Sequence, residues 1–251
     1  MNDSIPALPA ATVLLVRQRA EMEVLMVGRN ATSYFPSALV FPGGIVDEED
    51  GSDYWAEWGH GGDDLEKRER AFRVAAFREL YEETGILLVD DAPAGAAPAS
   101  PAPGADRFID VLRKHHGRLD LAAMHPFAHW ITPEFAPKRF DTHFFLCGIE
   151  TEVVAISDGD ETVSVEWISP RKALELAETK DRHILFPTKM NLRMLAYSNT
   201  VEEALIAVKT RKIVAVTPRL EERADGRYLV IPSDAGYGVA EDRPPAPPPR
   251  S

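Results

Sequence analysis

The residues best placed for chemistry are three glutamates, Glu79, Glu82 and Glu83, in the segment Arg-Glu-Leu-Tyr-Glu-Glu. On a helix, spacings of three and four residues place all three side chains on one face, within about one turn. Like charges this close repel unless a cation neutralises them, and Mg²⁺ or Mn²⁺ takes oxygen ligands of this kind. Arg78, four residues before Glu82, can hold one carboxylate in place. A solvated acidic helix face is the alternative, and the glutamates alone do not exclude it.

The elements around these glutamates include a glycine turn that lies upstream of their helix. Residues 11–17 and 22–28 read as two apolar strands joined by a polar hairpin, and residues 38–41 lead into the turn at Gly43 and Gly44. Asp63 reads as a helix N-cap with Glu66 as its capping-box partner, so we expect a helix over residues 65–84. Gly85 stands where a helix C-terminus favours glycine. A buried strand is expected at residues 86–89.

Gly44, Arg78-Glu79-Leu80, Glu82-Glu83 and Gly85-Ile86 together resemble the Nudix box, G-x5-E-x7-R-E-U-x-E-E-x-G-U, where U is apolar. The resemblance covers roughly residues 10–200. It implies an α/β (α+β) fold, a Nudix α/β/α sandwich with a mixed sheet, here with extra C-terminal helices. It also implies a hydrolase that uses Mg²⁺ or Mn²⁺ to cleave pyrophosphate links. Glu79, Glu82 and Glu83 match the metal positions of the box, with Glu79 as a ligand or as the base.

The box is interrupted in this chain. Arg78 follows Gly44 by 34 residues instead of the usual 14, so an insert at residues 47–64 must loop out before the helix. The first glutamate of the box has no direct counterpart; Asp50 stands six residues after Gly44. Three features resemble the Nudix branch that includes the peroxisomal coenzyme A diphosphatases. They are the interruption itself, the segment Phe41-Pro42-Gly43-Gly44, and the block from Ile131 to Phe145. This branch implies coenzyme A or acyl-CoA as the first candidate substrate.

Further site residues are predicted at the turn and on loops. The backbone of Gly43 and Gly44 would approach metal and phosphate where a Cβ would collide, although a plain turn is the alternative. Arg29 and Arg139 are candidate phosphate contacts, and each would otherwise be a surface charge. Glu161 resembles a further catalytic acid that Nudix enzymes supply from a loop before a late strand; a plain turn carboxylate is equally compatible. His115, His116, His125 and His129 have no spacing typical of zinc sites.

The insert offers two interpretations. Trp55, Trp58 and His60 stand among four glycines in residues 51–62. The tryptophans would either form a wall of the substrate site or pin the loop to the core. The base of the insert must lie near the site in both cases, because it joins the glycine turn to the helix.

The rest of the chain is predicted to complete one domain, residues 1–240, that includes an Ala/Pro-rich loop at 90–106. A Pro-rich tail at 241–251 is expected to be disordered. We expect further elements in the following order: a helix at 108–116, strands at 128–132, 143–149 and 162–168, helices at 170–178, 188–198 and 201–209, and short strands at 212–216 and 228–231.

Composition narrows the function classes. The net charge of −12 disfavours binding to nucleic acid, and the apolar runs are too short to span a membrane. One cysteine and no basic leader make the cytoplasm the expected compartment, with a homodimer as one compatible state. The expected partner is a small molecule linked through a nucleoside diphosphate. The alternatives are an ADP-ribose, dinucleotide or nucleotide-sugar pyrophosphatase and a catalytically inactive Nudix-fold binding module.

Overall fold

The structure is a computed structural model that describes residues 5–30, 37–90, 107–150, 153–157, 162–239 and 241–242. None of the helices within these ranges is both long enough and apolar enough to cross a membrane.

Strands supply most of the framework and are numbered here in chain order. They are β1 (Leu8–Gln18), β2 (Met22–Arg29), β3 (Ala38–Val40), β4 (Gly43–Ile45), β5 (Gly59–His60), β6 (Leu119–Asp120), β7 (His125–Ile131), β8 (Phe140–Ile149), β9 (Thr162–Ile168), β10 (His183–Ile184), β11 (Ala215–Val216), β12 (Arg219–Arg223), β13 (Gly226–Val230) and β14 (Glu241–Asp242).

The helices alternate with these strands. They are α1 (Trp55–Trp58), α2 (Lys67–Thr84), α3 (Phe108–His115), α4 (Pro170–Glu178), α5 (Phe186–Leu195) and α6 (Val201–Thr210), with short 3₁₀ helices at Glu48–Gly51, Leu121–Ala123 and Ser233–Ala235. Helix α4 begins as its sequence predicts, because the Ser169 side chain caps the Lys172 amide and Pro170 occupies the first turn.

The main sheet is mixed. Its path is β10-β3-β2-β1-β8-β7-β11, and β4 and β9 pair with β1 and β2 respectively. Strands β1 and β2 form the predicted antiparallel hairpin, whereas β1 and β8 are parallel. Parallel neighbours require a long crossover connection, and the connection from β1 to β8 contains helix α2.

Alternate residues of β1 enter two different cores. Leu14 and Val16 pack in the core on the side of α4, α5 and α6. Val13 and Leu15 pack in the core beneath α2, α1 and α3. A sheet with a core on each face is the α/β/α sandwich predicted from the sequence, and this part of the prediction is confirmed.

The local predictions failed at several boundaries. Helix α2 begins at Lys67 after Glu66, so the expected capping box at Asp63 is wrong. Residues 86–89 form no strand; Ile86 is buried in the core beneath α2, and Leu87, Leu88 and Val89 pack against that core. The strand expected at 212–216 is only Ala215–Val216, and the charged segment β12 was not predicted at all.

The insert is also more ordered than a loop that extends into solvent. It contains the 3₁₀ helix Glu48–Gly51, helix α1 and strand β5, which pairs with β6. Strand β14 shows that residues 241–242, expected in the disordered tail, pair with β13. Most of the Ala/Pro-rich loop (91–106) and the tail from residue 243 lie outside the described residues, so their predictions stay untested.

Candidate active site

Helix α2 presents its carboxylates at its C-terminal end. Its buried residues, among them Val74, Phe77 and Leu80, pack on the sheet, and Gly85 ends the helix with a left-handed φ of 68°. No basic residue occupies the last turn. Because the helix dipole is negative at this end, Glu82 and Glu83 lie where an anion is unfavourable unless a cation is near.

The glycine turn lies directly against these carboxylates. Gly43 and Gly44 pair with Thr12 and Ala11 of β1. The Gly43 amide donates a hydrogen bond to Glu83 Oε2 at 3.0 Å. A Cβ on Gly44 would lie 2.6 Å from the carboxylate of Glu79, so only glycine allows this approach. The glycine turn therefore contacts the carboxylates of α2, while its predicted approach to metal and phosphate stays a prediction.

Arg78 lies in the carboxylate cluster formed by Asp50, Glu79, Glu82 and Glu83. Its buried guanidinium donates to Glu79 and Glu82, each at 2.8 Å, and to the carbonyl of Ile45 at 2.9 Å. It also bonds both oxygens of Asp50, at 3.0 and 2.9 Å. Burial acts to lower the pKa of Arg78, but these carboxylates raise it overall and keep it charged. Arg78 thus fixes the orientation of the acidic side chains.

Asp50 is the functional residue that the sequence reasoning undervalued. It is 2% exposed, and its carboxylate also accepts the Asp47 amide at 2.8 Å. Asp50 lies six residues after Gly44, and most of the inserted residues follow Asp50 in the sequence. The spacing from Gly44 was the available signal, because it equals the spacing of the first acidic position in the box.

The protonation of the glutamates reflects their crowding. Burial is the main cause that raises the pKa of Glu79 to about 7, and burial also raises the pKa of Glu82. Several carboxylates held together in a partly buried site favour a bound cation, which would lower these pKa values again. The donors are all oxygens, so the set fits Mg²⁺ or Mn²⁺ better than a soft metal.

The two predicted phosphate contacts differ in position. Arg29 donates to the carbonyl of Gly43 at 3.1 Å and lies 3.7 Å from Glu83 Oε1, so its charge is at the turn. Arg139 donates to the carbonyls of Thr132 and Ile5 at 3.0 and 2.7 Å. These contacts tie the β7–β8 connection to the start of the chain, and the structure does not bring Arg139 into the carboxylate cluster.

Glu161 lies outside the described residues, so its predicted role stays a prediction. The next residue, Thr162, donates to the backbone carbonyl of Glu83 at 3.1 Å. Strand β9 therefore begins beside the carboxylate end of α2.

The two tryptophans of the insert pack in or against the core beneath α2. Trp55 is 2% exposed, donates through Nε1 to the Glu49 carbonyl and contacts the rings of Tyr54 and Phe108. This position matches the pinning interpretation for Trp55. Trp58 is partly buried under the Arg113 guanidinium, 5.9 Å from the ring centre.

Comparisons with known proteins agree with this geometry. The family model of the NUDT19 Nudix domain matches residues 60–195, more than half of the chain. A crystal structure of a Nudix hydrolase from Alicyclobacillus acidocaldarius superimposes with a TM-score of 0.69 at 29% identity, over 83% of this chain and 98% of that one.

Two curated relatives carry the same name, acyl-coenzyme A diphosphatase NUDT19. The human protein is 30% identical over 190 residues, which are 66% of this chain and 51% of that protein. The Xenopus laevis protein is 24% identical over 273 residues, 87% of this chain and 72% of that protein. The chain thus spans about half the length of its human relative. On the strength of the family model, the chain belongs to the Nudix family, as the interrupted box implied.

Proposed function

We propose that this chain is a divalent-metal-dependent pyrophosphohydrolase whose preferred substrate class is coenzyme A and its acyl derivatives. The observation that carries the proposal is the cluster in which Arg78 orients Glu79 and Glu82 while the Gly43 amide holds Glu83. Like charges repel, so a cluster held together in this way favours a metal ion that neutralises it.

Glu79, Glu82 and Glu83 would hold Mg²⁺ or Mn²⁺ in this proposal. The metal supplies charge neutralisation for the phosphate oxygens when bound. Arg29 at the turn adds a fixed positive charge for a diphosphate oxygen. Gly43 and Gly44 lack a Cβ, so the turn packs directly against β1 and the Glu79 carboxylate and its backbone stays beside the proposed metal ligands.

Hydrolysis also needs a base for the attacking water. Glu79 is a candidate base as well as a candidate ligand, because its carboxylate lies against the Gly44 backbone and accepts from Arg78 within the cluster. Glu161 is the second candidate base. Attack of water on one phosphorus breaks the bridging P–O bond, and the proton passes to the base.

The substrate class rests on relatives named acyl-coenzyme A diphosphatase, one of which this chain matches over half its length. The decisive experiment incubates the purified full chain with coenzyme A, an acyl-CoA, NADH, ADP-ribose and a nucleotide sugar, each with Mg²⁺, Mn²⁺ or chelator. We expect two phosphate monoesters from coenzyme A or acyl-CoA, at a higher kcat/KM than from the other compounds. Turnover that persists in excess chelator would contradict the metal role, and preference for ADP-ribose would replace the substrate class.

A further inference from the structure

A second group of metal-ligating side chains lies on strands β7 and β8, on the side of the sheet covered by α2. His129 of β7 and His143 of β8 are direct cross-strand partners. Asp141 is two residues before His143, and residues two apart on a strand share one face. Neither Asp141 nor His143 has a role in the proposed hydrolysis.

The three side chains bring one potential metal-binding atom each close together. One ligand atom from each residue lies within 4.8 Å of the others. Asp141 Oδ1 is 2.5 Å from His129 Nε2 and 3.8 Å from His143 Nε2. The two imidazole rings stack with their centres 4.2 Å apart. The three donors therefore lie within one small volume.

One of these atoms lacks the partner that burial normally demands. His143 Nε2 is buried and, among the described residues, makes no hydrogen bond. A buried polar atom without a partner is costly, and coordination to a metal ion would remove this cost. His143 also packs on the Phe72 ring of α2, 4.1 Å between centres, which limits how far its ring can turn away.

Asp141 is itself oriented by a further residue. Its second oxygen, Oδ2, accepts from Arg68 of α2 at 2.9 Å, which leaves Oδ1 directed at the two histidines. Hydrogen bonds of this kind from outside the ligand set commonly fix metal-binding carboxylates.

From this geometry we propose that His129, Asp141 and His143 bind one ion of the Zn²⁺ class at a site separate from the Nudix carboxylates. Two imidazoles and a carboxylate are the ligands that Zn²⁺, Co²⁺ and Ni²⁺ accept, whereas Mg²⁺ prefers oxygen alone. Three protein ligands leave a fourth position for water or another small ligand.

The site is distinct in position as well as in chemistry. Ala11 of β1 pairs with Gly44 on one side and with His143 on the other. Two strand spacings, about 10 Å, therefore separate the backbones of the two sites. A bound ion would join β7 to β8 beneath the first half of α2, and would stabilise the surface on which that helix rests.

The test uses tag-free full-length protein in excess Mg²⁺, so that the Nudix carboxylates are occupied. Zn²⁺ is titrated by calorimetry, and Co²⁺ is followed by its visible absorption. We expect one equivalent of either ion to bind and to raise the melting temperature. Asp141→Asn should weaken binding by at least about tenfold, and His143→Ala should abolish it.

The matched control is His125→Ala, because His125 lies on the same strand β7 outside the cluster and should bind Zn²⁺ like the native chain. Melting curves in chelator show whether each variant is folded, and His129→Gln replaces His143→Ala if that variant is not. Failure of the native chain to bind Zn²⁺ in excess Mg²⁺ would overturn the proposal. Unchanged binding in folded Asp141→Asn and His129→Gln would overturn it too, and would leave an ordinary ion pair between His129 and Asp141. Neither result bears on hydrolysis.

Discussion

The carboxylate end of α2 and the tryptophan segment of the insert are close in sequence and opposite in character. The carboxylate end holds Glu79 and Glu82 against the Arg78 guanidinium and Glu83 against the Gly43 amide, at the negative end of a helix. The tryptophan segment buries Trp55 among aromatic rings and satisfies its indole N–H. One region concentrates charged groups, and the other buries aromatic rings whose polar group is satisfied.

The difference shows how a Nudix box can be interrupted without losing its site. Asp50 lies before the bulk of the inserted residues and still reaches Arg78 through two hydrogen bonds. The residues after Asp50 then pack on α3 and β6 before α2 begins. The inserted residues therefore form additional core, and Asp50 and Arg78 keep the contact that orients the carboxylates.

The largest effect is expected from Trp55→Ala. Removal of a fully buried indole should lower the free energy of unfolding by about 3–5 kcal/mol, since it leaves a cavity between Tyr54 and Phe108. KM should remain unchanged for whichever substrate is hydrolysed. Urea denaturation and steady-state kinetics measure the two quantities. A raised KM at an unchanged melting temperature would instead place Trp55 in the substrate wall.

Glu83→Gln probes the charged region. Glutamine can still accept the Gly43 amide, so the fold should persist. Loss of the charge should reduce kcat by roughly 10²- to 10³-fold, about 3–4 kcal/mol of transition-state stabilisation. The matched control is Glu69→Gln, on the exposed first turn of the same helix, which should keep native turnover. Native turnover in Glu83→Gln at saturating Mg²⁺ would remove Glu83 from the metal site.

Glu79→Gln tests whether the buried Glu79 carboxylate makes the stability of the fold depend on pH. Burial raises the pKa of Glu79 from 4.5 to about 7, so the folded chain binds this proton more tightly than the unfolded chain. Stability in chelator should therefore fall as pH rises from 4.5 to 7, by up to about 3 kcal/mol from this group. Denaturation in urea at pH 5 and 7.5 measures the fall. The fall in stability between these two pH values should be smaller in Glu79→Gln, which cannot ionise at this position. In Glu69→Gln it should be as large as in the native chain. Parallel pH curves for native chain and Glu79→Gln would show that Glu79 ionises freely.

The sequence was most informative where the signal is local. Periodicity and Gly85 located helix α2, and the box located the carboxylates, because these features depend on neighbours within a turn or two. The bond between Asp50 and Arg78 is a tertiary contact across the insert. The spacing of Asp50 from Gly44 indicated where an acid could lie, but not which side chain it would contact. The apolar run at 86–89 was misassigned because burial against a core does not require strand pairing. Strand β12 was missed because its exposed, charged residues have no apolar alternation.

The smallest effect is expected from Trp58→Ala, the variant that separates the insert from the site most directly. Trp58 is only partly buried, and its described contacts include Arg113 of α3 rather than the carboxylate cluster. A cation–π contact of this exposure is worth about 0.5–1 kcal/mol. The partly buried indole also packs against the core beneath α2, so the melting temperature should fall slightly. Arg113→Ala removes the cation–π contact while keeping the indole, and should give a still smaller loss. KM for coenzyme A and for ADP-ribose should be unchanged in both variants. If Trp58→Ala alone raised KM or altered the preference between them, the indole would contact substrate, and the insert would belong to the active site rather than to the core.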